Sequence, residues 1–198
     1  MHGMKSIVTG FLLSFITLGA TFGQELPEGQ KRWSATDKLT IEDFTIEGSD
    51  QKEAPVYSQF MISHSLSAFD VIRRNFNQKI ENMFLGKASW IDTTRVSDIE
   101  EQIEFQQMQF DLSEVFARKF RERILIEKGE LLKGLEVVDE ISDDIMAELS
   151  KVRSQMIRET EDGRNPEKLT QWKNTINDWL SITNEFRHEN KKKIKQDD

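Results

Sequence analysis

Along "PVYSQFMISHSLSAF" the residues Val56, Phe60, Ile62, His64, Leu66 and Ala68 fall on one face at period two, the pattern of a strand with one buried side. "LTIEDFTI" also alternates and predicts a short strand, or a strand with a turn. "IENMFLGKASWID" predicts a further strand, bent near Gly86, where a missing side chain weakens the extended chain. Three such segments make a small antiparallel sheet.

After residue 97 the period lengthens to that of a helix. Ser97 and Glu100 read as an S-x-x-E capping box opening a helix that runs to about Lys128, before Gly129 and Gly134. A second helix spans roughly 135–160, striped by Val138, Ile141, Ile145, Leu149, Val152 and Met156, with Gly163 at its terminus. Asn165 caps a third helix with Pro166 in its first position. Leu169, Trp172, Ile176, Trp179 and Phe186 line it. The first helix carries two apolar stripes: Ile99, Ile103, Phe110, Phe120 and Ile124 on one side, Phe105, Met108, Leu112 and Phe116 on another. A helix apolar around so much of its girth lies inside the domain. The expectation is an α+β fold, with a small antiparallel sheet packed against a mainly helical C-terminal two-thirds and this helix at the centre.

The amino terminus does not fit that domain. "MHGMKSIVTGFLLSFITLGATFGQ" has Lys5, an apolar run from Ile7 to Leu18, then small residues before Gln24. This is the layout of a signal peptide over 1–23, cut before Gln24, and it places the protein outside the cytoplasm, periplasmic or extracellular. The run is short for a membrane span, so no transmembrane segment is expected once it is removed. The domain then covers 24–188, with a polar tail over 189–198.

Charge and composition narrow the chemistry. The chain has 198 residues, 37% hydrophobic and 31% charged, enough for one domain with a core. A net charge of −8 disfavours nucleic acid and anionic membrane as partners. With no Cys, thiolate nucleophiles and thiolate metal ligands are excluded. Of three His, His2 lies in the leader, His188 in the tail, and His64 on the apolar strand face, where a hydrogen-bonded core imidazole is expected. "DEISDD", Asp139 to Asp144, lacks the glycine turn of a calcium loop and reads as a solvated helix face. Neither a G-x-S-x-G elbow nor a phosphate-binding glycine loop is present.

The order of several short segments resembles a family of exported bacterial domains of unknown function, predicted to be zinc-dependent peptidases. Its members have an early Trp followed by Leu-Thr-Trp-x-Asp-Phe; here stand Trp33 and "LTIEDF". They have a Ser-Trp-Val strand end; here it is Ser89 to Ile91, "SWI". Their central helix reads His-Glu-Gln-x-His-Phe-Asp-Ile, then Ala-Arg-Lys-Leu-Arg; here it reads "FQQMQFDL", then "ARKFR". A Glu-Thr-x-His-Gly segment and a Gln-x-x-Trp correspond to "ETEDG" and, in altered order, "QWK". The resemblance implies a zincin-like central helix, in which two His four residues apart hold one zinc and the intervening Glu activates its water.

The departures fall where that chemistry would be. Phe105 stands at the first ligand position and Gln109 at the second, Gln106 replaces the base, and Asp162 falls at the third ligand position. Gln107, Phe110 and Asp111 match and belong to the scaffold. The resemblance therefore implies a pseudo-peptidase: an exported, non-catalytic domain with no cofactor, no catalytic residue and no metal, serving a protein or envelope partner by binding or as structure. Two alternatives stand beside it. One is an active hydrolase whose acids Glu104, Asp111 and Asp162 converge near Gln106. The other is a helical interaction module unrelated to peptidases.

Overall fold

The computed structural model describes residues 26–47, 53–67, 70, 73, 75–132, 134 and 136–194. The leader read over 1–23 lies outside them, as does Ala68. Among the described residues, six short strands precede three α-helices: β1 Gln30–Arg32, β2 Thr45–Glu47, β3 Val56–Tyr57, β4 Phe60–His64, β5 Ile80–Leu85, β6 Trp90–Asp92, then α1 Ile99–Ile126, α2 Glu136–Glu159 and α3 Pro166–Ile182. The fold is α+β, with the long α1 in its middle.

The strands form two three-stranded sheets rather than one. The first has the order β1-β5-β4 and is antiparallel; the second has the order β2-β6-β3 and is mixed, with β2 parallel to β6. The cause is a kink shared by two segments that the alternation reads as continuous. Phe60 pairs with Phe84, whereas Val56 pairs with Ile91, so four residues back along one strand correspond to seven forward along the other. The excess is taken up by a 3-10 turn at Gly86–Ala88. Gly86 is required there, since a Cβ would stand 2.3 Å from the Asp43 carbonyl oxygen. Ser89 pins the kink: its hydroxyl donates to the Leu85 carbonyl at 2.7 Å and accepts from the Gln59 N–H at 2.9 Å. "LTIEDFTI" resolves into a turn at Ile41–Asp43 followed by β2.

α1 starts one residue later than the capping box predicts. Asp98 is the N-cap, its carboxylate accepting from the Glu101 N–H at 2.9 Å. Its apolar residues divide between two clusters. Phe110 joins Trp33, Leu39, Phe44, Phe60, Phe84 and Ile91 on the sheet side. Phe105, Met108, Leu112, Phe116, Phe120 and Ile124 join the α2 and α3 stripes. Asn165 caps α3 as expected, accepting from the Lys168 N–H.

A buried ion triad fastens α1 to its surroundings. Glu114 accepts from Arg118 at 3.0 Å and Arg121 at 2.8 Å. Arg118 also donates to the Leu180 carbonyl, and Arg121 to those of Ile80 and Phe186. Two cations share one carboxylate, and main-chain carbonyls in the last turn of α3, after it and on β5 supply the remaining acceptors.

Two sequence expectations are corrected. His64 is not a core imidazole: it lies at the surface, edge-on to Phe120 and 3.6 Å from the exposed Asp139. The alternation placed it inward, but β4 is an edge strand and its last residues run clear of the core. The segment read as a polar tail is docked as far as Ile194, which is 4% exposed. Asn75 holds it by donating to the Asn190 and Lys192 carbonyls. Among the described residues, no helix is long and apolar enough to cross a membrane.

Candidate functional site

Two turns of α1, the C-terminal half of α2, β3 and the α2–α3 turn surround a cleft of about 600 Å³. Phe105, Gln106, Gln109 and Asp162 all line it. The four positions singled out in the sequence thus meet in one place, although more than fifty residues separate the last from the others.

The chemistry at those positions is that of amides and a ring. Gln106 and Gln109 are 5% and 3% exposed. Arg153, from α2, donates through Nε to the Gln109 Oε1 at 2.9 Å and through Nη2 to the Ser58 carbonyl at 3.2 Å. A guanidinium only donates, so Gln109 must turn its oxygen toward Arg153. Its Nε2 is then left to donate to the Gln106 Oε1, at 2.9 Å. The Arg153 guanidinium lies 5.1 Å from the Phe60 ring centre. Burial pushes its pKa down.

The α2–α3 turn closes one end. Glu161, Asp162 and Gly163 have φ of 54°, 57° and 90°, a left-handed run that brings the chain sharply round. Gly163 sits on the Phe105 ring; a Cβ there would stand 2.8 Å from the Phe105 Cγ. The Asp162 side chain is 65% exposed and 3.6 Å from Arg164.

A catalytic zinc does not fit these residues. Phe105 has no lone pair, and the Gln109 oxygen, the one donor at the two ligand positions of α1, already receives a cationic N–H. A metal beside it would face the Arg153 charge. Among the described residues, no group of three or more His, Asp or Glu side chains is placed to hold a metal ion. The acids of the altered-hydrolase alternative do not meet either. Glu104 and Asp111 border a different cavity, between α1 and α3, that Asp162 does not reach.

The matching scaffold residues lie on the other side of α1. Asp111 Oδ1 accepts from the Trp33 indole N–H at 2.7 Å, from Gln107 Nε2 at 2.7 Å and from Lys38 at 3.3 Å. Gln107 Oε1 accepts the Leu39 N–H at 2.8 Å. Glu159, of "ETEDG", accepts from the Trp172 indole of "QWK" at 2.9 Å, joining α2 to α3.

Arg153, Ser58 and Tyr57 were not singled out from the sequence. A signal for Arg153 does exist: Ile145, Leu149 and Arg153 step by four along the inward face of α2, so a cation stands where the stripe calls for an apolar residue. Ser58 and Tyr57 owe their place to the strand kink, which alternation hides. No family model, curated protein or solved structure matches the chain.

Proposed function

We propose that this is an exported, non-catalytic domain of the peptidase-like family, its cleft serving to bind a protein or envelope partner rather than to hydrolyse one. The observation that carries the reading is the meeting of Phe105, Gln106, Gln109 and Asp162 at one cleft, with an amide-to-guanidinium chain in place of ligands and base. Gln106 is a neutral amide and cannot take a proton from water at working pH. Further support comes from the segments that carry the resemblance. Trp33, "LTIEDF", Gln107 and Asp111 bond to one another, although they are scattered along the chain.

The test is elemental analysis and peptidase assay of the mature protein. The expected result is far less than one zinc per chain and uncut peptide substrates. Stoichiometric zinc with chelator-sensitive proteolysis would overturn the reading. Combining Phe105→His, Gln106→Glu, Gln109→His and Asp162→His with Arg153→Leu, which removes the opposing cation, should raise zinc affinity markedly.

A further inference from the structure

We infer that the cleft takes the carboxylate end of a short peptide, with the Arg153 guanidinium as the recognising group; this rests on reading the cleft as a binding site. Three arginines line it, and they differ in their partners. Arg95 stands 3.9 Å from Asp92, and Arg164 stands 3.6 Å from Asp162. Arg153 touches neutral groups: the Gln109 amide oxygen, the Ser58 carbonyl and the Phe60 ring. Two of its five N–H groups are engaged, leaving three without a protein acceptor among the described residues. A half-buried guanidinium without a carboxylate favours an anion, and a planar fork favours a carboxylate.

The adjoining strand says why the carboxylate should end a peptide. β3 is the edge of its sheet. Pro55 accepts from the Asp92 N–H, and the Gln59 N–H donates to Ser89, so these alternate residues face β6. Alternation then turns the N–H and C=O of Val56, and the C=O of Ser58, to the open edge. Arg153 already occupies the Ser58 carbonyl. A chain laid along Val56 therefore meets the guanidinium after a residue or two, where a terminal carboxylate completes the contact. Tyr57, stacked on Trp90 with ring centres 4.7 Å apart, gives the same edge an aromatic wall.

The probe is a random pool of N-acetylated tetrapeptides with free C-terminal carboxylates, equilibrated with the mature protein. The same pool as C-terminal amides, and propionate alone, serve as comparisons. Retained peptides are counted by mass spectrometry. Free acids should be retained roughly ten-fold better than amides, about what one charge-assisted contact supplies. Arg153→Gln should bring acids down to the amide level. If that variant fails to fold, Arg153→Lys decides: a loss of about three-fold or more supports the proposal, because a point charge lacks the fork, and no loss overturns it. Equal retention of acids and amides, no retention of either, or undiminished binding by Arg153→Gln would also overturn it. Propionate that displaces the peptides at equal concentration would make this a small-acid site and overturn the peptide part. Peptides retained but cut would overturn the non-catalytic reading and leave the recognition standing.

Discussion

Phe105 and Gly163 form a pair whose coupling can be measured. Phe105 is 4% exposed, and its ring lies where a Cβ on Gly163 would stand, 2.8 Å from Cγ and 3.1 Å from Cδ1. Phe105→Ala removes a buried ring and should cost about 3–5 kcal/mol. For a domain of this size that is a fall in Tm of roughly 6–20 °C. Gly163→Ala meets two penalties. The backbone φ of 90° is unfavourable for any residue with a Cβ, at about 1–2 kcal/mol. The overlap with a ring that cannot move away adds about 1–3 kcal/mol, as overpacking does. Removing the ring takes away the two closest approaches, leaves the 3.2 Å approach to the residue 105 Cβ, and leaves the backbone penalty untouched. The double variant should therefore be more stable than the sum of the single losses by about 1–3 kcal/mol. Urea unfolding of all four proteins gives the cycle directly. Additive losses, or a Phe105→Ala change near zero, would mean that the ring does not fill this space.

Other outcomes follow from named contacts. Glu114→Ala strands two buried guanidinium groups and should cost about 3–5 kcal/mol, whereas Glu148→Ala, which breaks the exposed pair with Lys119, should cost at most about 1 kcal/mol; similar losses in urea would refute the triad's role. His188 is held below its ordinary 6.5 chiefly by burial, then by Arg32 and Arg121. The unfolded chain therefore binds the extra proton first, so stability should fall as pH drops below about 6.5. His188→Asn should flatten that slope in thermal melts, and an unchanged slope would contradict the assignment. Intact-mass analysis of the native protein should show a chain beginning near Gln24, and a retained Met1 in a cytoplasmic fraction would end the export reading.

The helices were legible because their signals are local. A 3.6-residue stripe, an Asn-Pro start and a glycine stop each need only a few neighbouring residues; α2 fell within a residue of expectation and α3 began at Pro166 as expected, but α3 ends at Ile182 and Phe186 sits in a separate 3-10 turn. The two-sheet arrangement was not legible. Its cause is the insertion of Gly86–Ala88 opposite Ser58–Gln59, a relation between strands distant in sequence. The site was half legible. Positions 105, 106, 109 and 162 are singled out by the resemblance, since Phe, Gln and Gln carry no ligand signal of their own. Arg153, the cation that engages Gln109, needed the packing of α2 to be seen. The docked end at Ile194 was missed because one apolar residue among lysines gives no periodicity to read.

The geometry of α1 explains how a frame can persist while the chemistry on it changes. At about 100° per residue, Gln107, Asp111, Glu114 and Arg118 fall within a sector of roughly 60°. This side bonds Trp33, Leu39 and the Leu180 carbonyl in the last turn of α3, and the Arg118 guanidinium lies 5.2 Å from the Trp33 ring centre. Phe105, Gln106 and Gln109 fall on the far side, facing Arg153 and the turn at Gly163. The two sides share a backbone, and among the described residues no hydrogen bond joins their side chains. Substitutions on the cleft side are therefore not felt by the contacts that hold the entry segment to the helix. Only occupancy of the cleft, by zinc or by a carboxylate, separates an altered catalyst from a binding site, because each would place a different charge beside Arg153.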